Sequence, residues 1–61
     1  MIDVEKTREM FPATGRNISQ WSRVKGLDPD RMRAVLRGEL AIRADESVAL
    51  AEDGLLVEMG Q

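Results

Sequence analysis

Apolar residues recur along this chain at helical rather than strand spacing, and polar caps and glycines divide the recurrences into segments. Val4, Thr7 and Phe11 fall at i, i+3 and i+7, one face of a helix from Asp3 to about Phe11. Pro12 is a plausible stop for it, and Thr14, Gly15 and Arg16 read as a loop. Asn17 is followed three residues later by Gln20, the spacing of a capping box with Asn in the Ser/Thr position, so a second helix starts there. Ile18, Trp21 and Ser22 form its inner face. It ends at Gly26, because a residue without Cβ accepts the left-handed cap conformation, and Lys25 suits the negative end of the helix dipole.

The third helix is the most sharply punctuated. Asp28 is its N-cap, Pro29 fits the first position because its missing N–H would be unpaired there anyway, and Asp30 suits the positive dipole end. Met32, Val35, Leu36 and Leu40 make one apolar stripe, which predicts a helix from Pro29 to about Leu40. The opposite face carries Asp30, Ala34 and Arg37, flanked by Arg31 and Arg33. Residues 41–61 allow two readings. Ala44, Val48, Ala51 and Leu55 suit a fourth helix from about Asp45 to Glu52, stopped by Gly54. Asp53-Gly54 is also a type I′ hairpin signal that would pair Leu50 with Val57 and Val48 with Met59. The expected fold is therefore all-α, a small domain of three helices plus one, with an α+β fold ending in a C-terminal β-hairpin as the alternative.

Composition narrows the function. A chain of 61 residues makes one domain with a thin core, since about 60% of its unfolded surface is buried on folding. It has no cysteine and no histidine, which removes disulfides, zinc fingers and the commonest nucleophiles and general base. Its 11 acidic side chains form no recognisable acid/base pair, so neither enzyme activity nor a cofactor nor a metal is expected. Apolar runs such as Leu55 to Val57 are too short to span a membrane, and Asp3 and Glu5 replace the basic start of a leader peptide. A soluble, cytoplasmic protein is expected.

The net charge of -2 speaks against nucleic acid only if it is evenly spread. It is not. Residues 16–43 hold seven bases (Arg16, Arg23, Lys25, Arg31, Arg33, Arg37, Arg43) against three acids (Asp28, Asp30, Glu39), a net of +4. Residues 44–61 hold five acids (Asp45, Glu46, Glu52, Asp53, Glu58) and no base, a net of -5.

The basic island contains QWSRVKGLDPDRMRAVLRG, Gln20 to Gly38: two short helices separated by a glycine-containing turn, the second capped and basic outside. Ser22 is small where the helices would cross, Gly26 permits the turn, Leu27 plugs the space beneath it, and Met32 and Val35 pin the second helix to Trp21 and Ile18. The pattern W-S-R-x-x-G-L-x-P-x-x-M-x-x-V-L-x-G resembles the helix-turn-helix domains of small phage and prophage regulators of the Cro and repressor type. The closing V-L-R-G is also similar to the V-L-N-G of lactose-repressor-like headpieces. The resemblance is strongest over Ile18 to Gly38. It implies one domain over residues 1–61 with its helix-turn-helix at about 17–38, sequence-specific binding of a double-stranded DNA operator as a homodimer, transcriptional control, and a location in the cytoplasm of a bacterial host.

On that resemblance the helix from Pro29 enters the major groove with its N-terminal residues nearest the bases. Arg33 is then the candidate for a guanine, Ala34 for a thymine methyl and Asp30 for a cytosine amino group. Phosphate candidates are Asn17 and Ser19 with the free amides near Ile18, together with Arg23, Lys25, Arg31 and Arg37. Trp21 reads as a core anchor, and the methionines as core or interface filling. Leu55, Leu56, Val57 and Met59, four apolar residues in five, are dimer-contact candidates within a packing or dimer segment at 44–59. Two other readings compete: a small helical protein-interaction module such as an antitoxin or anti-repressor, and an excisionase-like factor that bends DNA.

Overall fold

Local capping chemistry divides the chain where the sequence places its punctuation. The computed structural model describes residues 1–60; residue 61, the last of the expected domain, lies outside them. Four helices follow in order: α1 (Val4–Ala13), α2 (Ile18–Val24), α3 (Pro29–Leu36) and α4 (Ala44–Glu52). The fold is all-α, and among the described residues the one β feature is an isolated antiparallel bridge between Ile2 and Glu58.

Three helix starts are capped by side-chain oxygens. Asp3 accepts from the Lys6 N–H at 3.0 Å, Asn17 from Gln20 at 3.1 Å, and Asp28 from both Asp30 at 2.9 Å and Arg31 at 3.3 Å. α4 starts at Ala44, one residue before its expected Asp45, because the Glu46 carboxylate reaches back to the Arg43 N–H at 2.8 Å. α1 runs past its expected stop: Pro12 in the last turn removes only the bond to the Arg8 carbonyl, and the helix continues to Ala13.

Helix ends follow one pattern. At α4, Gly54 takes φ +70°, the Leu55 N–H bonds the Leu50 carbonyl at 2.8 Å, and the Gly54 N–H bonds Ala51 at 3.1 Å. These are the two bonds of a Schellman motif, and they place Leu50 and Leu55 together in the core. Gly54 therefore closes a helix rather than a hairpin, and the alternative pairing of Leu50 with Val57 and Val48 with Met59 is not formed. The same two bonds end α3 at Gly38, so that helix stops at Leu36, four residues short of expectation, and Leu40 is exposed instead of completing the stripe.

The core joins all four helices: Phe11 from α1, Trp21 from α2, Met32, Val35 and Leu36 from α3, Ala49 and Leu50 from α4, and Leu55 beyond it. Each fully buried large side chain contributes about 1.5–3 kcal/mol. Phe11 and Trp21 meet edge to face, with ring centroids 5.3 Å apart and planes at 80°. Ser22 is buried beside the turn, its hydroxyl donating to the Ile18 carbonyl at 2.7 Å. In α4 the buried face is Glu46, Ala49 and Leu50, so the expected stripe of Ala44, Val48 and Ala51 points outward. A carboxylate, Glu46, takes an inner position of this helix, so apolar spacing alone gives the wrong phase.

The chain ends close the fold. The Asp3 N–H donates to the Val57 carbonyl at 2.8 Å, and the Met59 N–H to the Met1 carbonyl at 2.7 Å. Buried Thr7 accepts from the Val57 N–H at 3.1 Å. The apolar tail is thereby committed to its own chain. Leu55, expected at a dimer contact, is wholly interior; Leu56 and Val57 are half-buried, and Met59 alone of the four is exposed.

Candidate nucleic-acid interface

Because Met32, Val35 and Leu36 hold α3 against the core and Arg31 turns to α4, the face opposite them is turned to solvent. α2, a turn over residues 25–28 and α3 form one packed unit, with Leu27 covering the core beneath Gly26 (φ +74°). The outward residues are Asp30 and Arg37, both exposed, with Arg33 and Ala34 half-buried between them. The three base-edge candidates, Asp30, Arg33 and Ala34, are thus brought together on the first two turns of α3.

Arg33 is held on both sides. Its Nη1 donates to the Ser19 hydroxyl at the start of α2, and its Nη2 donates to the Asp30 carboxylate one turn back along α3. Two-fifths of its side chain, 40%, remains exposed. Beside it a cleft of about 400 Å³ runs between α1 and α2, with Phe11 and Ile18 in its wall and Arg8 and Arg16 at its edge.

The phosphate candidates divide into free and committed. Arg23 is exposed and, like Arg16 and Arg43, makes no ion pair among the described residues. Arg37 is exposed but pairs with Glu39 at 3.1 Å; the bond raises the guanidinium pKa and lowers that of the Glu39 carboxyl. Asn17 is exposed with its side chain engaged as the cap of α2, and Ser19 is occupied by Arg33. Lys25 turns back to α4, 3.1 Å from Asp53 and 3.9 Å from Glu52.

Arg31 is built into the fold. Its Nε donates to Glu46 at 2.9 Å and its Nη2 to the Ala41 carbonyl at 2.6 Å, tying α3 to the segment before α4 and to α4 itself. Glu46 is 3% exposed. The pair is fifteen residues apart in sequence, and no local spacing signals it. A second cluster was equally hidden: the Trp21 indole N–H donates to Asp53 at 2.7 Å beside Lys25. The indole donor first, and Lys25 second, hold the Asp53 carboxyl below its ordinary pKa. Asp53 reads in the sequence only as a turn residue, whereas its side chain joins α2 to the end of α4. Arg8 is another unpredicted tie, donating from α1 to the Leu36 carbonyl at the end of α3 at 2.8 Å.

Of the seven bases between residues 16 and 43, four (Lys25, Arg31, Arg33, Arg37) are in ion pairs. The free positive charge on this face is smaller than the sequence total suggests. Among the described residues no group of acidic side chains is arranged to hold a metal, and no helix is long and apolar enough to cross a membrane. No protein-family model, curated protein or solved structure matches the chain.

Proposed function

We propose that this chain is a sequence-specific double-stranded DNA-binding regulator of transcription, a repressor of the phage Cro type that its sequence resembles, with α3 as the helix that enters the major groove. The carrying observation is the α2–turn–α3 unit: a capped second helix, locked from beneath by Met32 and Val35, presents Asp30, Arg33, Ala34 and Arg37 together on its outer side. Arg33 reads a base edge, and exposed Arg16, Arg23 and Arg37 meet phosphates. The protein acts by binding, without catalysis or cofactor, in the cytoplasm of a bacterial host.

The molecule measures 30 × 23 × 19 Å. Half-sites read from one side of B-DNA lie about 34 Å apart, so reading two of them takes two copies. A homodimer on a two-fold symmetric operator belongs to the proposal, and of the four tail candidates Met59, the exposed one, is the residue that would meet a second copy.

Selecting bound duplexes from a random pool tests this directly, followed by titration of the best duplex at several salt concentrations. Enrichment of a defined site, with log affinity falling against log salt at a slope of about -3 per bound copy, is expected from three phosphate contacts. Failure to enrich any sequence, or a flat salt dependence, refutes the DNA reading. The paired state of four of the seven central bases favours a second reading, a protein-interaction module of the antitoxin or anti-repressor kind; the flat salt dependence would support it.

A further inference from the structure

Asp30 and Arg33 stand one turn apart on α3, and Ser19 reaches the same guanidinium from α2. A guanidinium carries five N–H donors. Ser19 takes one on Nη1 and Asp30 one on Nη2, leaving enough for the two acceptors, O6 and N7, on a guanine edge. A long side chain already fixed from two sides loses little further freedom when it meets a base. Asp30 itself stays 87% exposed while paired with Arg33, which puts a solvent-facing carboxylate beside the surface that would approach phosphates. Like charges there weaken contact with every duplex alike.

We propose that Asp30 is a positioning residue rather than a base contact: with Ser19 it aims Arg33 at a guanine, and its charge suppresses binding to unrelated sequences. This rests on the DNA reading above and deepens it by assigning the origin of specificity. The two effects of Asp30 have opposite signs in affinity. Removing the carboxylate frees Arg33 and so weakens discrimination, while removing a negative charge strengthens binding to any DNA.

The test compares wild type, Asp30→Asn, Ser19→Ala and Arg33→Ala on the selected duplex, on its single-base-pair variants and on mixed-sequence DNA. Arg33→Ala is expected to erase the guanine preference at one base pair. Asp30→Asn should reduce preference at that same pair about tenfold, on the order of the discrimination of one bidentate contact, while binding mixed-sequence DNA several-fold more tightly. Ser19→Ala should weaken the same preference without strengthening mixed-sequence binding. In the Arg33→Ala background, Asp30→Asn should leave base preference unchanged. Asp30 is too exposed for its replacement to unfold the domain, and circular dichroism checks this. If Asp30→Asn alters preference at a different base pair, the residue touches a base itself and the positioning role is wrong. Unchanged preferences in Asp30→Asn, with wild type still selective, also overturn it and leave the DNA reading intact. A wild type that enriches no duplex overturns both.

Discussion

Glu46 and Arg31 form the interaction on which a single side chain has most effect. Glu46 accepts from Arg31 and from the Arg43 N–H, so its removal strands a largely buried guanidinium and uncaps α4 together. Breaking such a pair from one side costs about 3 kcal/mol or more, whereas replacing both partners by apolar residues is often nearly neutral. Glu46→Ala is therefore expected to lower Tm by more than about 10 °C in thermal denaturation, at the usual sensitivity of a domain this size. Glu46→Leu combined with Arg31→Met should recover most of the loss; additive losses would show that the pair is not the cause. Asp53 acts through pH. Its folded pKa lies below its unfolded value, so the stability it contributes is complete above the unfolded value of about 3.8 and is lost as pH falls through the depressed one. Acid unfolding followed by Trp21 fluorescence should begin at higher pH in wild type than the folded-state titration of Asp53. Asp53→Asn should flatten the wild-type dependence in this window, and an unaltered acid profile would deny Asp53 that role.

At the scale of elements, helix starts and stops were legible wherever they depend on residues next to one another. Asp28-Pro29 and Asn17 with Gln20 name their caps by spacing, and the helices begin there. Gly26 marks the turn for the same reason. Sequence is least decisive where a local signal has two outcomes or where a partner is distant. Asp53-Gly54 suits a hairpin and a helix cap equally in isolation; the buried meeting of Leu55 with Leu50 decides for the cap. The phase of α4 differs from the apolar spacing because Glu46 occupies an inner position, which hydrophobicity alone never assigns to a carboxylate. Its partner, Arg31, belongs to another helix. The base-edge candidates share one surface because they lie on one helix, while the roles of Arg31 and Lys25 depend on α4 and were invisible. Gly54 gives the element-scale test. A Cβ there would meet nothing within 4 Å, so Gly54→Ala is opposed by backbone conformation alone. Urea denaturation should show a loss of about 1–2 kcal/mol and Gly54→Asn a smaller one. A neutral Gly54→Ala would mean that the left-handed cap is dispensable.

Across the whole molecule, charge and chain closure answer one constraint. A 61-residue chain buries too little surface to leave its ends loose, and here the tail that sequence offers for a partner closes the core through Thr7, Val57 and the Ile2–Glu58 bridge. The acidic C-terminal third is likewise partly internal: Glu46 and Asp53 hold Arg31 and Lys25, so part of the -5 and of the +4 cancel inside the fold. What remains unpaired on the basic side is Arg16, Arg23 and Arg43, with Arg37 exposed in its pair with Glu39. Arg23 and Arg31 consequently separate binding from folding. Arg23→Ala is expected to reduce the salt slope of duplex binding by about 1, with Tm and base preference unchanged, because its exposed side chain makes no ion pair with the fold. Arg31→Ala should do the reverse, lowering Tm while the slope of the fraction still folded at low temperature stays as in wild type. If Arg31→Ala flattened the slope instead, its guanidinium would have to leave Glu46 when DNA binds, and the division of the basic island into structural and contacting halves would fall.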